Sequence, residues 1–143
     1  MQFRTVINID NELDITHKDK LMMFGSCFTE TIGQRLIEQK FDVSCNPLGI
    51  LFNPASIKKN IETIVNKRYY KESDLIENNG VWNCLDFHSQ FARLSAKEYV
   101  DNINARIEKS NVFLNQSDFV FVTLGTAWVY EHVGSHEIVA NCH

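Results

Sequence analysis

Proline and glycine are scarce in this sequence, with two and six residues among 143. That excludes a collagenous or linker-rich chain, and neither residue clusters to mark a domain boundary. Internal repeats and low-complexity tracts are absent too, so 1–143 reads as one domain with no internal boundary. No apolar run approaches the roughly 20 residues that cross a bilayer, which predicts no membrane partner. Long runs of like charge are also lacking. Lys58-Lys59 and Lys67-Arg68 read as solvated helix faces. Lys plus Arg number 14 against 18 for Asp plus Glu, for a net charge of −4. The sequence pI is near 5.7, and such a chain has no electrostatic footprint for nucleic acid. The first residues, MQFRTVINIDNELD, lack the apolar stretch and cleavage pattern of a secretory signal. With Cys27, Cys45, Cys84 and Cys142 widely spaced, free thiols in a cytoplasmic protein are expected rather than two extracellular disulfides.

What is present is an ordinary globular composition, 44% hydrophobic and 22% charged. Phe3–Ile9 reads as an extended lead-in. Leu21-Met-Met-Phe24, closed by Gly25, fits a buried strand. Thr29 as cap and Glu30 in the first turn then predict a helix with Ile32, Leu36 and Ile37 on its apolar face. Phe41–Val43 is a second strand. Asn53 followed by Pro54 is a helix start, continued by Ile57, Ile61, Ile64 and Val65. Asn78-Asn-Gly80 predicts a hairpin against Val81-Trp82. Ser95-Ala-Lys-Glu98 is a capping box opening a helix through Val100, Ile103 and Ile107. Asp118–Leu124 is a continuous apolar run ended by Gly125, and it predicts a parallel strand buried on both faces. The order of strand, helix, strand, helix, helix, strand predicts an α/β fold with a mostly parallel sheet. The chain stops inside the β-like run Glu137–His143, so an incomplete sheet is expected at that end.

In such sheets ligands sit beyond the carboxyl ends of the strands. Two loops fall there, Gly25-Ser26-Cys27-Phe28-Thr29 and Gly125-Thr126-Ala127-Trp128. Gly25 permits a tight turn, and the helix that follows presents unpaired amides with partial positive charge. A Ser or Cys there has the surroundings of a nucleophile. The same residues also fit plain structural roles, with Ser26 a cap and Cys27 a small buried apolar side chain.

Phe24-Gly-Ser-Cys-Phe-Thr29 resembles the signature of the GSCFA domain family, with Thr29 where the family usually has Ala. The resemblance continues through Asn46-Pro-Leu-Gly-Ile-Leu-Phe-Asn-Pro54, Asp86-Phe-His-Ser-Gln-Phe91, Thr123-Leu-Gly-Thr-Ala-Trp-Val-Tyr130 and Val139-Ala-Asn-Cys-His143. It covers nearly the whole chain but only the N-terminal half or so of the family's usual length. The family resembles the SGNH (GDSL-like) hydrolases, which implies a flavodoxin-like three-layer α/β/α fold and chemistry on acyl esters. In the GDSL register Cys27 falls on the nucleophile position, with Ser26 as the alternative if the turn shifts by one residue. A thiol needs less help from a base than a hydroxyl does.

The same resemblance implies that Gly49 supplies an oxyanion amide. It places Gly125-Thr126-Ala127 where the superfamily has Gly-x-Asn, so Ala127 removes a donor that Thr126 or Asn141 could replace. The catalytic histidine block is expected beyond residue 143, which predicts little or no activity for this chain alone. The implied substrate is a small-molecule or carbohydrate acyl ester, with no cofactor. An acyltransferase is one alternative, and a non-catalytic binding or scaffold protein that keeps the fold is the other.

Asp86-Phe-His88 places two polar residues on one face if extended, so Asp86 could orient His88 toward the cleft. A structural histidine under a loop fits the same residues. His132 and His136 have metal spacing only on a helix, and Gly134-Ser135 between them predicts a turn with exposed histidines instead. Cys84 with His88, and Cys142 with His143, lack zinc-site regularity, so no metal is expected. Trp82 and Trp128 suit either a pocket or the core.

Overall fold

The computed structural model describes residues 13–140. The predicted lead-in Phe3–Ile9 and residues Asn141, Cys142 and His143 lie outside them. In chain order the elements are β1 (Lys20–Phe24), α1 (Cys27–Glu38), β2 (Asp42–Cys45), α2 (Pro54–Val65) and a hairpin of β3 (Ile76–Asn78) and β4 (Val81–Asn83). They continue with α3 (Ala96–Asn115), β5 (Phe119–Val122) and a second hairpin of β6 (Tyr130–Glu131) and β7 (Ile138–Val139).

β1 is apolar at successive positions and therefore needs cover on both faces. It takes the centre of a parallel sheet of order β2-β1-β5. Leu21 and Met23 face α1, where Ile32, Leu36, Phe41 and Phe121 close an apolar cavity of about 200 Å³. Met22 and Phe24 face the other way and join Ile57, Ile64, Ile103 and Ile107 of α2 and α3 in the main core. Helices thus lie on both sides of a parallel sheet, the three-layer α/β arrangement that the family resemblance implies.

Local chemistry explains most boundaries. Asn53 caps α2 by accepting the Ser56 amide at 2.8 Å, with Pro54 next in line. Asn79 and Gly80 both have positive φ, +53° and +80°, as a type I′ turn requires, and they close the predicted first hairpin. Ser95 caps α3 through the Glu98 amide at 3.3 Å. The Glu98 carboxylate does not reach back to complete the box; it lies 3.5 Å from Arg93 Nε.

The structure corrects four expectations. α1 is capped by Ser26, one turn earlier than Thr29, which is instead buried. Ile37 and Val65 are exposed, because the stripes they extend run past the edge of the sheet's cover. β5 is not buried on both faces. Phe119 and Phe121 are half-buried toward α1, while Val120 and Val122 stand 50% and 46% exposed on the face that α2 and α3 cover elsewhere. Among the described residues no strand pairs with the outer edge of β5. Finally, Lys59 is not a solvated lysine. Its ammonium is 2.6 Å from Asp86, at the side of the core.

Candidate functional site at the carboxyl edge of the sheet

Three loops meet where β1 and β5 end. The Thr123 amide donates to the Phe24 carbonyl at 2.9 Å, and the Leu51 amide donates to the Gly25 carbonyl at 3.1 Å. The amides of Gly125 and Thr126 both donate to the Phe52 carbonyl, at 3.2 and 3.1 Å. The Asn46–Asn53 segment therefore bridges the two loops that sequence reasoning singled out. Gly25 is obligatory in this arrangement. Its φ is +153°, and a Cβ there would stand 2.6 Å from the Thr123 carbonyl oxygen.

Within the Gly25-Ser26-Cys27 turn the two candidate nucleophiles have different surroundings. Ser26 is buried, and its hydroxyl accepts the Phe28 amide at 3.3 Å as the cap of α1. Its Cβ lies 3.4 Å from where a Cβ of Gly125 would be, so it faces the β5 loop. Cys27 is the first residue of α1 and is exposed. It opens onto a groove of about 460 Å³, walled by Glu30, Thr31, Gln34 and Ile50 among others. The amides at a helix start have no carbonyl one turn back to receive them. Only the Phe28 amide is taken here, by Ser26, and among the described residues those of Cys27 and Thr29 have no acceptor.

Asn46, which sequence reasoning missed, sits under this turn. It is 7% exposed and holds the left-handed φ of +41°. Its Oδ1 accepts the Gly25 amide and its Nδ2 donates to Glu30 Oε2, both at 2.8 Å. Its own carbonyl accepts the Gly49 amide at 2.8 Å, so that amide is engaged within the loop. The sequence signal was the Asn-Pro-Leu-Gly turn itself, which shows a bend but not its hydrogen bonds. Thr29 and Thr123 join their hydroxyls across the α1–β5 junction.

Gly49 and His88 come together. Gly49 has φ +96°, and a Cβ there would stand 2.5 Å from His88 Cβ. His88 Nδ1 accepts the Gln90 amide at 3.0 Å, so the neutral ring carries its proton on Nε2. Asp86 does not orient it. One Asp86 oxygen accepts Lys59 at 2.6 Å and the other accepts the Tyr70 hydroxyl at 2.8 Å. The segment is a bend rather than a strand, so the two side chains part. Burial, then the neighbouring Asp86 charge, pushes the Tyr70 hydroxyl well above its ordinary range.

Two other thiols, Cys45 and Cys84, are more enclosed. Burial pushes Cys84 up to about 12. Burial, followed by the Glu30 charge, pushes Cys45 up to about 12. His132 and His136 lie in the turn of the β6–β7 hairpin and are exposed, as predicted, with His136 Nδ1 2.6 Å from Glu131. Trp82 is half-buried, and Trp128 is 83% exposed in the loop after Gly125. Among the described residues no three His, Cys, Asp or Glu side chains gather as a metal site, and no helix is long and apolar enough to cross a membrane.

A parallel sheet flanked by helices, with its glycine turns and polar side chains gathered at the strands' carboxyl ends, defines an α/β protein of the doubly wound class. The chain belongs to the GSCFA family, whose model matches residues 20–143. No curated protein and no solved structure matches it.

Proposed function

We propose that this edge carries the nucleophile of an SGNH-like acyl-ester hydrolase, with Cys27 as the attacking group. The supporting observation is an exposed thiol on the first residue of the helix that follows the central parallel strand. In the reaction the thiolate sulfur bonds to the acyl carbon. The carbonyl electrons move onto oxygen, where the free amides of the first turn of α1 stabilise them. Collapse expels the alcohol, and water then releases the acid from the thioester. With an alcohol in place of water the same intermediate serves an acyltransferase. Gly49 and Gly125 contribute the close approach of the loops, since the amides of Gly49, Gly125 and Thr126 are engaged. A general base would take the thiol proton and hand it to the departing alcohol, and turnover of an ordinary ester depends on that transfer.

An activated ester tests the reading without a general base. At pH 8 p-nitrophenyl acetate needs no acid to leave, and a thiolate needs no base. The expected acetyl adduct maps to Cys27 and vanishes in Cys27→Ala. Cys45 and Cys84 are expected to react more slowly than an ordinary thiol, from their burial and reduced thiolate fraction. An adduct that survives Cys27→Ala on Ser26 transfers the role to the hydroxyl. The engaged amides of Gly49, Gly125 and Thr126 favour a second reading, a binding protein that keeps the fold. It predicts Cys27 acylation no faster than that of a small free thiol.

A further inference from the structure

Asn46 joins more parts of the nucleophile turn's support than its place in a loop would suggest. Its amide donates to the Met23 carbonyl at 2.9 Å, and its carbonyl accepts the Gly49 amide at 2.8 Å. Its side chain then links two points of the turn. Oδ1 holds the amide of Gly25, the residue before Ser26, and Nδ2 holds the carboxylate of Glu30, in the first turn of α1. Both ends of a buried amide are thereby satisfied, and one of the bonds is to a charged group. Few side chains can do this. The residue must accept a left-handed backbone and offer a short acceptor and a short donor in one plane. Glycine has the backbone without the side chain, and aspartate lacks the donor.

We propose that Asn46 is the positioning residue of the nucleophile turn. Its side chain, clamped between the Gly25 amide and the Glu30 carboxylate, sets where the Cys27 thiol and the first amides of α1 point. The proposal rests on the acyl-transfer reading above and deepens it. The physical reason is the tolerance of oxyanion stabilisation. Donors must lie within hydrogen-bond reach of a charge that forms only during reaction, and a displacement near 1 Å costs about 10²-fold. Alkylation has no such requirement, because iodoacetamide transfers a carbon to sulfur and releases iodide without building an oxyanion.

The ratio of acylation to alkylation at Cys27 therefore reads the alignment of the turn, and alkylation reports exposure and folding. In the 143-residue chain, Asn46→Ala is expected to lower acylation by p-nitrophenyl acetate roughly 10-fold while alkylation stays within about 2-fold. Asn46→Asp retains the acceptor for Gly25 but sets a carboxylate against Glu30, and it is expected to be equally slow. Combining it with Glu30→Gln reverses donor and acceptor across the same bond. That pair is expected to recover the ratio to within about 3-fold of wild type, a rescue that loss of fold cannot produce. The Gly25 amide resonance is expected to move upfield in Asn46→Ala and to return in the double variant. An unchanged ratio in Asn46→Ala, or a double variant no faster than Asn46→Asp alone, overturns the positioning role. A wild-type Cys27 that alkylates normally but never acylates overturns the nucleophile reading and this proposal together. That result is distinguishable from failure of Asn46 alone.

Discussion

β1 and β5 are neighbours in one parallel sheet, and both are apolar runs ended by glycine, yet their environments differ. Every residue from Leu21 to Phe24 is buried, because α1 covers one face of β1 and α2 with α3 covers the other. In β5 the same alternation leaves Val120 and Val122 half in solvent. The two strands pair in full register from Leu21↔Phe119 to Phe24↔Val122, so hydrogen bonding does not separate them. Cover does. Apolar side chains on a strand stabilise the fold only through the layer laid over them, at roughly 25 cal/mol per Å² removed from water.

Substitutions on the two sides sharpen this contrast. The largest effect is expected on the covered side. Ile64→Ala removes a side chain with no exposed area from the layer over Met22 and Phe24, and about 3 kcal/mol of unfolding free energy should disappear in a denaturant titration. A loss below about 1 kcal/mol would mean that this face is looser than it looks. Gly25→Ala tests the junction that ties β1 to β5. The added methyl meets the Thr123 carbonyl oxygen in a backbone region hostile to L-residues, and a cost of about 2 kcal/mol is expected in the same titration.

A pH series probes the covered side through Cys84. The fold raises this thiol from an ordinary value near 9.0 to about 12 by burying it. Its neutral form is the one favoured in the native state. The contribution is therefore complete below pH 9 and is lost as pH rises from 9 toward 12. The expected slope from this group is about 1.4 kcal/mol per pH unit, and it should vanish in Cys84→Ala. The smallest effect belongs to the bare face of β5. Val122→Thr should change stability by less than about 0.5 kcal/mol. A cost above about 1 kcal/mol would show that something covers this face in solution.

Much of the fold was legible beforehand because its cues are local. The Asn53-Pro54 start, the Asn79-Gly80 turn and the Ser95 cap are each settled within a few residues. For α1 the sequence offers two hydroxyl caps three residues apart, Ser26 and Thr29, and Ser26 is the one beside the strand end. The site was legible only in part. Ser26, Cys27, Gly49 and Gly125 were visible as residues suited to tight turns and nucleophiles. Asn46 was not, because its significance lies in two bonds, one to a residue 21 positions away and one to a residue 16 positions away. Asp86 misled for the same reason. Two-residue spacing placed it with His88, whereas Lys59 and Tyr70, from α2 and the segment after it, take both its oxygens.

By itself the sequence determined the order of strands and helices, the turns between them and the presence of a thiol at the head of the first helix. Those follow from side-chain periodicity and capping, which act over one or two turns of chain. Only the tertiary structure decided which apolar strand is sheltered, which cysteine is exposed and which amide holds the turn beneath it. Burial and long-range hydrogen bonds depend on what the rest of the chain lays against a residue, and no short window of sequence contains that.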